Sequence, residues 1–343
     1  MKSFPDSDLE HIFKHTHNLW SEHFSKGSTL FITGGTGFFG KWLLESFLFA
    51  GKQLSHKGTA LVLSRDPEKF LRAYPHFRDS SVQFIRGDVC TFSFPPGKID
   101  YIIHAATPAS ADLNSRQPLL MFDIIAEGTR RVLELAKEKN VKAILHTSSG
   151  AVYGKQPAEV SHLPEEYPGA PSMDDENAAY GEGKRVAEML CHLYYRNFSV
   201  HSKIARCFAF AGPGLPLDRH FAAGQFVRDV FQGDVIRISG DGSPCRSYMY
   251  PSDLCIWLWT ILFTAPSCRP YNVGSEESIS IRELAELISV RSGKKMRVEI
   301  ASAMAAGNPS RYVPSVKRAR EELGLKNCIS LPEAIDKMIA FGK

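Results

Sequence analysis

No stretch of the 343 residues gathers Lys and Arg densely enough to coat a phosphate backbone, and 41 basic against 37 acidic side chains leave a net charge of only +4. Nucleic-acid binding depends on phosphate neutralisation, so nucleic acid is not an expected partner. Long apolar runs are missing as well. The longest, Leu254 to Ala265, covers twelve residues and is interrupted by Thr260 and Thr264, whereas a bilayer span needs about twenty. The first twenty residues are polar and carry acids, without the apolar centre of a secretory signal. The expectation is a cytoplasmic protein with no membrane partner. Cysteines are scattered and odd in number: seven, at 90, 191, 207, 245, 255, 268 and 328, with no CxxC and no histidine at zinc-ligand spacing from them. This argues against a disulfide framework and a metal site, and for buried thiols in a reducing compartment. No internal repeat or low-complexity tract is visible.

With 43% apolar and 23% charged residues the chain can fill a sizeable core, and its length suits two domains or one enlarged α/β domain. Residues 7–24 set Leu9, Ile12, Phe13, Trp20 and Phe24 at roughly helical spacing, which predicts an amphipathic helix packed on the body or on a second subunit. From residue 29 short apolar runs alternate with helical segments: strands at 29–33, 60–64, 82–86, 101–106 and 143–149, with helices over 38–50 and 118–139. That alternation implies βαβ units and a parallel sheet covered on both faces. A loop rich in Pro, Gly and acids (155–178), a helix over 180–196 and a strand over 202–208 follow. Past 210 the regularity fades into a Gly/Pro-rich stretch at 211–219, short strands and turns over 234–250, and helices at 281–292 and 315–323. The predicted fold is α/β, a Rossmann-type doubly wound parallel sheet with a smaller C-terminal α/β lobe.

The first strand runs into Thr33-Gly34-Gly35-Thr36-Gly37-Phe38-Phe39-Gly40. Glycines at the end of a strand and the start of a helix permit a tight turn, close backbone approach to a pyrophosphate, and close helix–strand packing. The helix N-terminus then offers unpaired N–H groups to the phosphates. Gly34, Thr36, Gly37, Phe38, Phe39 and Gly40 are therefore candidate cofactor contacts. The second strand ends Leu63-Ser64-Arg65-Asp66. Ser64 and Arg65 suit a ribose 2′-phosphate, which tilts the expectation towards NADP, while Asp66 stands a position or two late for the ribose hydroxyls of NAD. A solvated loop pair is the plain alternative. Asp88 and Val89 after the third strand are placed for the adenine. After the fourth, Ala105, Ala106 and Thr107 are small enough for the cofactor to pass, and Thr147 and Cys207 complete the expected lining. Residues 29–209 are expected to bind the dinucleotide, 1–28 to be a helical extension, and 210–343 to be mainly the second lobe, with some segments returning to the first.

Tyr180-Gly181-Glu182-Gly183-Lys184 opens a helix, and a spacing of four puts the phenol and the ammonium on one face. A phenol, with an ordinary pKa of about 10, is a poor base; a nearby cation favours the phenolate that can take a proton from a substrate hydroxyl. Lys184 would also hold the nicotinamide ribose. About thirty residues earlier, Thr147-Ser148-Ser149-Gly150-Ala151-Val152-Tyr153-Gly154 ends a strand. Ser149 is the candidate hydroxyl for the same substrate oxygen, with Ser148 as the alternative; serines in such turns are often purely structural.

The ordered motifs TGGTGFFG, HAA, SSGAVYG, YGEGK, RSYMYPSDL and YNVGS, spread over roughly residues 29–343, resemble the extended short-chain dehydrogenase/reductases of the nucleotide-sugar epimerase/dehydratase family. The resemblance implies a bound NAD or NADP, a nucleotide-diphosphate sugar as substrate, and a homodimer built from helices 118–139 and 180–196. It also implies Ser149, Tyr180 and Lys184 as catalytic residues, and Ser149 and Arg246 as substrate contacts. Two departures stand out. Members resembling dTDP-glucose 4,6-dehydratase carry an Asp-Glu pair after the hydroxyl, and UDP-glucuronate decarboxylases a Glu two residues beyond it; here those positions are Gly150 and Ala151. The Asn that 4-epimerases carry soon after the sixth-strand arginine is missing from Arg206-Cys207-Phe208-Ala209. Asp218, His220 and Glu165 or Glu166 are polar candidates near the pocket. The leading expectation is oxidation at C4 followed by epimerisation. An NADPH-dependent keto-sugar reductase, a dehydratase or decarboxylase with non-standard acid/base groups, and a non-catalytic dinucleotide sensor are the alternatives.

Overall fold

The computed structural model describes residues 3–24, 27–55, 58–108, 110–218, 221–301 and 309–342. The chain opens with α1 (Asp6–Phe24), then β1 (Thr29–Thr33), α2 (Phe38–Leu54), β2 (Thr59–Ser64), α3 (Pro67–Ala73), β3 (Val82–Arg86) and β4 (Tyr101–His104). Next come α4 (Ala111–Arg116), α5 (Pro118–Lys139), β5 (Ala143–Ser149), α6 (Ala178–Phe198) and β6 (Ser202–Cys207). The remainder holds α7 (Ala222–Gln232), β7 (Val235–Ile238), β8 (Cys245–Arg246), α8 (Pro251–Thr264), β9 (Pro270–Val273), β10 (Ile279–Ser280), α9 (Ile281–Arg291), β11 (Arg297–Ile300), β12 (Arg311–Tyr312), α10 (Lys317–Leu323) and α11 (Leu331–Gly342).

Seven strands pair in parallel in the order β3-β2-β1-β4-β5-β6-β9. A parallel sheet with helices on both faces buries both sides of each strand, which is why its central strands read as unbroken apolar runs. β4 and β5 are buried throughout. On one face α1, α2 and α8 build a core around Trp20, Trp42, Trp257 and Trp259; on the other α5 and α6 pack over Ile102, Ile144 and Ile204. The strand order reverses between β1 and β4, and the crevice at the carboxyl ends there is where ligands bind in folds of this kind. A smaller cluster joins α7, β7, α9 and α11, and β8 carries β10 antiparallel on one edge and β12 parallel on the other. No helix among the described residues is long and apolar enough to cross a membrane.

The first helix packs on the body. Phe4 stacks on Trp42 at 3.9 Å between ring centroids. Trp20 is fully buried against Trp259 at 4.5 Å and donates its indole N–H to Thr16 at 2.8 Å. Buried Asp8 accepts hydrogen bonds from Tyr250 at 2.6 Å and from Lys337 at 2.9 Å, tying both ends of the chain to the start of α8. Asp253 accepts from the backbone N–H groups of Cys328 and Ile329, and its other oxygen lies 3.3 Å from His11 Nε2. Together with the Cys328 thiol this forms a group with ligand atoms within 4.8 Å of one another, and the carboxylate's backbone bonds give it a structural use.

Strand β4 ends two residues before the expected 106, because Ala105 and Ala106 turn to donate to the backbone oxygen and the hydroxyl of Thr33. Five helices were not expected: the short α3 and α4, and α7, α8 and α11. In α7 the buried Ala223, Phe226, Val227 and Val230 do keep helical spacing, and so do Leu331, Ala334, Ile335, Met338 and Ile339 in α11. Helix α8 is apolar on nearly every side, which erases the periodicity by which a helix is recognised.

Trp20→Ala should lower the stability of the whole chain by about 3–5 kcal/mol in urea denaturation, the cost of deleting a fully buried large side chain. Unchanged stability would mean that α1 contributes no core.

Candidate active site

At the crevice, Gly34 adopts φ +73°, and a Cβ there would lie 2.4 Å from the oxygen of Ala105. A Cβ on Gly40 would meet Gly35 Cα at 2.3 Å. The turn is thus held between β1, the β4 end and the first turn of α2, at distances only glycine tolerates. Gly37 heads α2 with no side-chain cap, and the first turn carries no acid. Those N–H groups are left free to meet an anion, and the helix dipole favours one. Phe38 and Phe39 begin the helix, with Phe39 edge-on to Phe210 at 5.0 Å. Thr36 is half-buried in the same turn.

The tip of β2 is arranged otherwise than the residue types suggested. The Ser64 hydroxyl is buried and accepts from the N–H of Asp66 at 3.3 Å. Asp66 in turn caps α3 by accepting from the N–H of Lys69 at 3.1 Å. The Ser64 hydroxyl thus accepts a bond within its own turn, and Arg65 and Asp66 beside it are both exposed. Asp88 accepts from the N–H of Cys90 at 3.0 Å, and the Val89 side chain is buried against α5 at Gly128.

Three elements bring the catalytic candidates together. Lys184, 2% exposed, lies on the inner face of α6 and donates to Thr107 Oγ1 at 2.8 Å and to the backbone oxygen of Thr147 at 2.7 Å. It thereby links the ends of β4 and β5. Its Nζ is 6.0 Å from the centroid of the Tyr180 ring. Burial pushes the Lys184 ammonium down to about 8 and raises the Tyr180 phenol; the Ser149 hydroxyl beside Tyr180 opposes that rise. Ser149 ends β5 and accepts from the N–H of Ala151 at 3.1 Å. Cys207, at the end of β6, is buried near both, and desolvation pushes its thiol up to about 12. The arrangement places a hydroxyl, a phenol and an ammonium at the ends of β4, β5 and β6, where the phenol can exchange a proton with a bound alcohol.

Ser148 points away, donating to Glu188 on α6, so Ser149 is the hydroxyl presented to the site. Glu188 also pairs with Arg206 through Nη2 at 2.7 Å, and Arg206 donates from Nη1 to Tyr153 at 2.9 Å. Asn114 accepts from the backbone N–H of Tyr180 at 3.0 Å and donates to the backbone oxygen of Asn177 at 2.8 Å, fixing the start of α6. Neither pairing has a local sequence signal. Glu165 is buried and accepts from the N–H of Asn272 at 2.9 Å, and Glu166 pairs with Arg318. Both therefore serve as struts, which corrects their expected place at the pocket. Asp218 is exposed and His220 lies outside the described residues. Arg246, on β8, donates to the backbone oxygen of Cys245 at 2.8 Å and sits 5.9 Å from the ring of Tyr312, whose hydroxyl reaches Ser149 Oγ at 3.5 Å. Next to it, Arg311 has a buried Nε without a partner. Tyr312 and Arg311 carry no recognisable motif and were not anticipated.

The model of the NAD dependent epimerase/dehydratase family matches residues 30–274. UDP-glucuronic acid decarboxylase 1 of Arabidopsis thaliana is 30% identical over 309 residues, covering 90% of this chain and 68% of its own. The protein of the same name from Xenopus tropicalis is 28% identical over 312 residues, with 91% and 71% covered. Among solved structures, a UDP-glucose 4-epimerase from Thermotoga maritima superposes with a TM-score of 0.78 at 20% identity, over 92% of this chain and 98% of that one. A dTDP-glucose 4,6-dehydratase from Streptomyces venezuelae with NAD bound gives 0.79 at 21% identity, over 91% and 96%. These structural likenesses establish the fold.

The buttress behind Ser149 has a measurable consequence. Arg206→Met should cost about 3–5 kcal/mol in urea denaturation, because it strands the buried Glu188 carboxylate. The double variant Arg206→Met/Glu188→Leu should recover most of the loss. Equal stability of the single variant and the wild type would show the pair to be dispensable.

Proposed function

The chain belongs to the NAD-dependent epimerase/dehydratase family, a family of nucleotide-sugar-processing enzymes, and from that premise we propose that it oxidises a ring hydroxyl, at C4, of a nucleotide-linked uronic acid and releases the carboxylate as CO2. The observation that carries the oxidation is the meeting of Ser149, Tyr180 and Lys184 at the ends of β4, β5 and β6. The relatives named UDP-glucuronic acid decarboxylase favour the second step. So does the chemistry of Gly150 and Ala151. Dehydration needs a base for a C–H bond, and neither position can supply one. A carboxylate next to a ketone leaves with its bonding electrons delocalised onto the ketone, and no base is needed.

NAD fits the turn at Gly34–Gly40, where added Cβ atoms would strike backbone and where the start of α2 is uncapped. Gly34, Thr36, Gly37, Phe38, Phe39 and Gly40 would hold the pyrophosphate, Asp88 and Val89 the adenine end, and Ala105, Ala106, Thr107, Thr147 and Cys207 the nicotinamide end. NAD is favoured over NADP because the family is NAD-dependent. When bound, the dinucleotide supplies a hydride acceptor that later becomes the donor. Lys184 orients the nicotinamide ribose and lowers the cost of the Tyr180 phenolate. Tyr180 takes the proton of the sugar hydroxyl, Ser149 holds the same oxygen, and Arg246 grips the substrate diphosphate. Epimerisation, the outcome expected first from the sequence, is the second reading: it needs the same three residues and no acid at 150 or 151. The two separate by product, since decarboxylation releases CO2 and epimerisation conserves mass. A reductase would instead consume one NADPH per turnover. A homodimer is also proposed, through α5 and α6, because Leu119, Leu120, Met189, Leu193 and Phe198 are exposed there.

Tyr180→Phe should lower turnover of UDP-glucuronic acid by about 10²–10⁴-fold while leaving dinucleotide binding intact, as expected for loss of a proton-transfer group. Wild-type turnover in that variant would remove the proposed base. The pH dependence has a defined sign. A lysine whose pKa is lowered to about 8 loses its charge as pH rises through that value, so kcat/KM should fall on the alkaline side of about 8. Lys184→Arg keeps its charge and should lose that alkaline limb whatever its absolute rate.

A further inference from the structure

Positions 150 and 151 carry no ionisable side chain, yet the space beside them is filled. A Cβ added to Gly150 would lie 2.7 Å from the Tyr312 hydroxyl and 2.6 Å from Phe208 Cζ. Gly150 is therefore the residue that allows the Tyr312 phenol to stand there. The phenol reaches Ser149 Oγ at 3.5 Å, and its ring is backed by Phe208 at 4.6 Å and approached by the Arg246 guanidinium at 5.9 Å. Two phenols, Tyr180 from α6 and Tyr312 from β12, thus converge on one serine from opposite parts of the chain. The carboxylates that could compete are occupied: Glu188 by Arg206 and Ser148, Glu165 by the N–H of Asn272.

We propose that Tyr312 is a catalytic acid that delivers a proton to the ring carbon adjacent to the oxidised position, C5, after the carboxylate there has left as CO2. This rests on the reading of the site as a nucleotide-uronate decarboxylase. In the step, the C5–C6 bond breaks and its electron pair passes into an enolate spanning C5, C4 and the C4 oxygen. The Tyr312 O–H bond then breaks, the proton goes to C5, and the enolate electron pair forms the new C5–H bond. The phenolate left behind recovers its proton from water, so one proton is consumed for each CO2 released. Burial and the neighbouring Tyr180 hold the Tyr312 phenol protonated, although its hydrogen bond with Ser149 works the other way. A protonated phenol can donate but cannot strip a C–H bond, which suits a reaction whose leaving group departs with no base.

The test uses the purified full chain, NAD and UDP-glucuronic acid in D2O. Wild-type protein is expected to release CO2 and to place one deuterium at C5 of the product. Tyr312→Phe should form reduced nicotinamide within about three-fold of the wild-type rate, while product release falls by about 100-fold. A second readout needs no redox turnover: with UDP-4-ketopentose in D2O, NMR follows the slow exchange of a C5 hydrogen, which by microscopic reversibility passes through the minor phenolate form of the same group. Exchange should fall by about 100-fold in Tyr312→Phe and also in Gly150→Ala, which crowds the phenol from its place. Unchanged product release and exchange in Tyr312→Phe would overturn the proposal, leaving the phenol as a wall of the pocket. So would an equal loss of nicotinamide reduction and exchange, which would mark Tyr312 as a positioning residue for Ser149 and Tyr180. Absence of CO2 from the wild type would overturn the decarboxylase reading itself, and the role of Tyr312 with it.

Discussion

A buried ammonium sets the terms for the rest of the site. Lys184 is almost wholly removed from water, and desolvation alone would push it towards the neutral form. Its position is held by Thr107 Oγ1 and the backbone oxygen of Thr147, and the negative charge of Glu188 favours keeping the proton. Each of these partners belongs to a different element. Thr107 follows β4, Thr147 is on β5, and Glu188 lies one turn further along α6 and is itself locked to Arg206 on β6. Charging the lysine in this place thus requires β4, β5, β6 and α6 to keep their register. The geometry that sets the ammonium 6.0 Å from the Tyr180 ring is also the geometry that gives a buried cation protein partners in place of water.

The Gly turn and the parallel sheet were legible in the chain because their cause is local. Strands buried on both faces must be apolar throughout, and a turn whose Cβ positions would collide with backbone must be glycine. Ser149, Tyr180 and Lys184 could be placed for a similar reason: each sits at the end of an element whose boundaries are readable. The turn that follows β2, in which the Ser64 hydroxyl accepts from the N–H of Asp66 and Asp66 caps α3, was not legible from residue type alone. Helix α8 went unread because burial on nearly all sides leaves no polar face. The Glu188–Arg206 pair and the convergence of Tyr312 on Ser149 could not be read, since they join residues 18 and 163 positions apart.

The two halves of the molecule contribute different kinds of constraint. The main sheet fixes the glycine turn, where Gly34 lies against Ala105 and Gly40 against Gly35, and the mooring of Lys184. The later part of the chain returns to the main sheet, with α8 on one face and β9 beside β6, while β12 pairs with β8 and brings Tyr312 to Ser149 with Arg246 beside its ring. A site assembled in this way can keep its oxidising machinery while the residues brought over it change the fate of the oxidised sugar.

That division explains why a glycine at 150 matters more than its size suggests. With a longer side chain there, the phenol and Phe208 would have to move, and an acidic one would bring its own charge to the substrate. With glycine, the ionisable group beside Ser149 is a phenol held in its neutral form by burial. A carboxylate near neutral pH can accept a proton, whereas a phenol in its neutral form can give one. The exchange of one for the other removes the means to abstract a proton from carbon and leaves the means to return one. In the proposed decarboxylation, oxidation at C4 makes the carboxylate on the neighbouring carbon labile without a base for carbon, so a group that only returns a proton to carbon would complete the reaction.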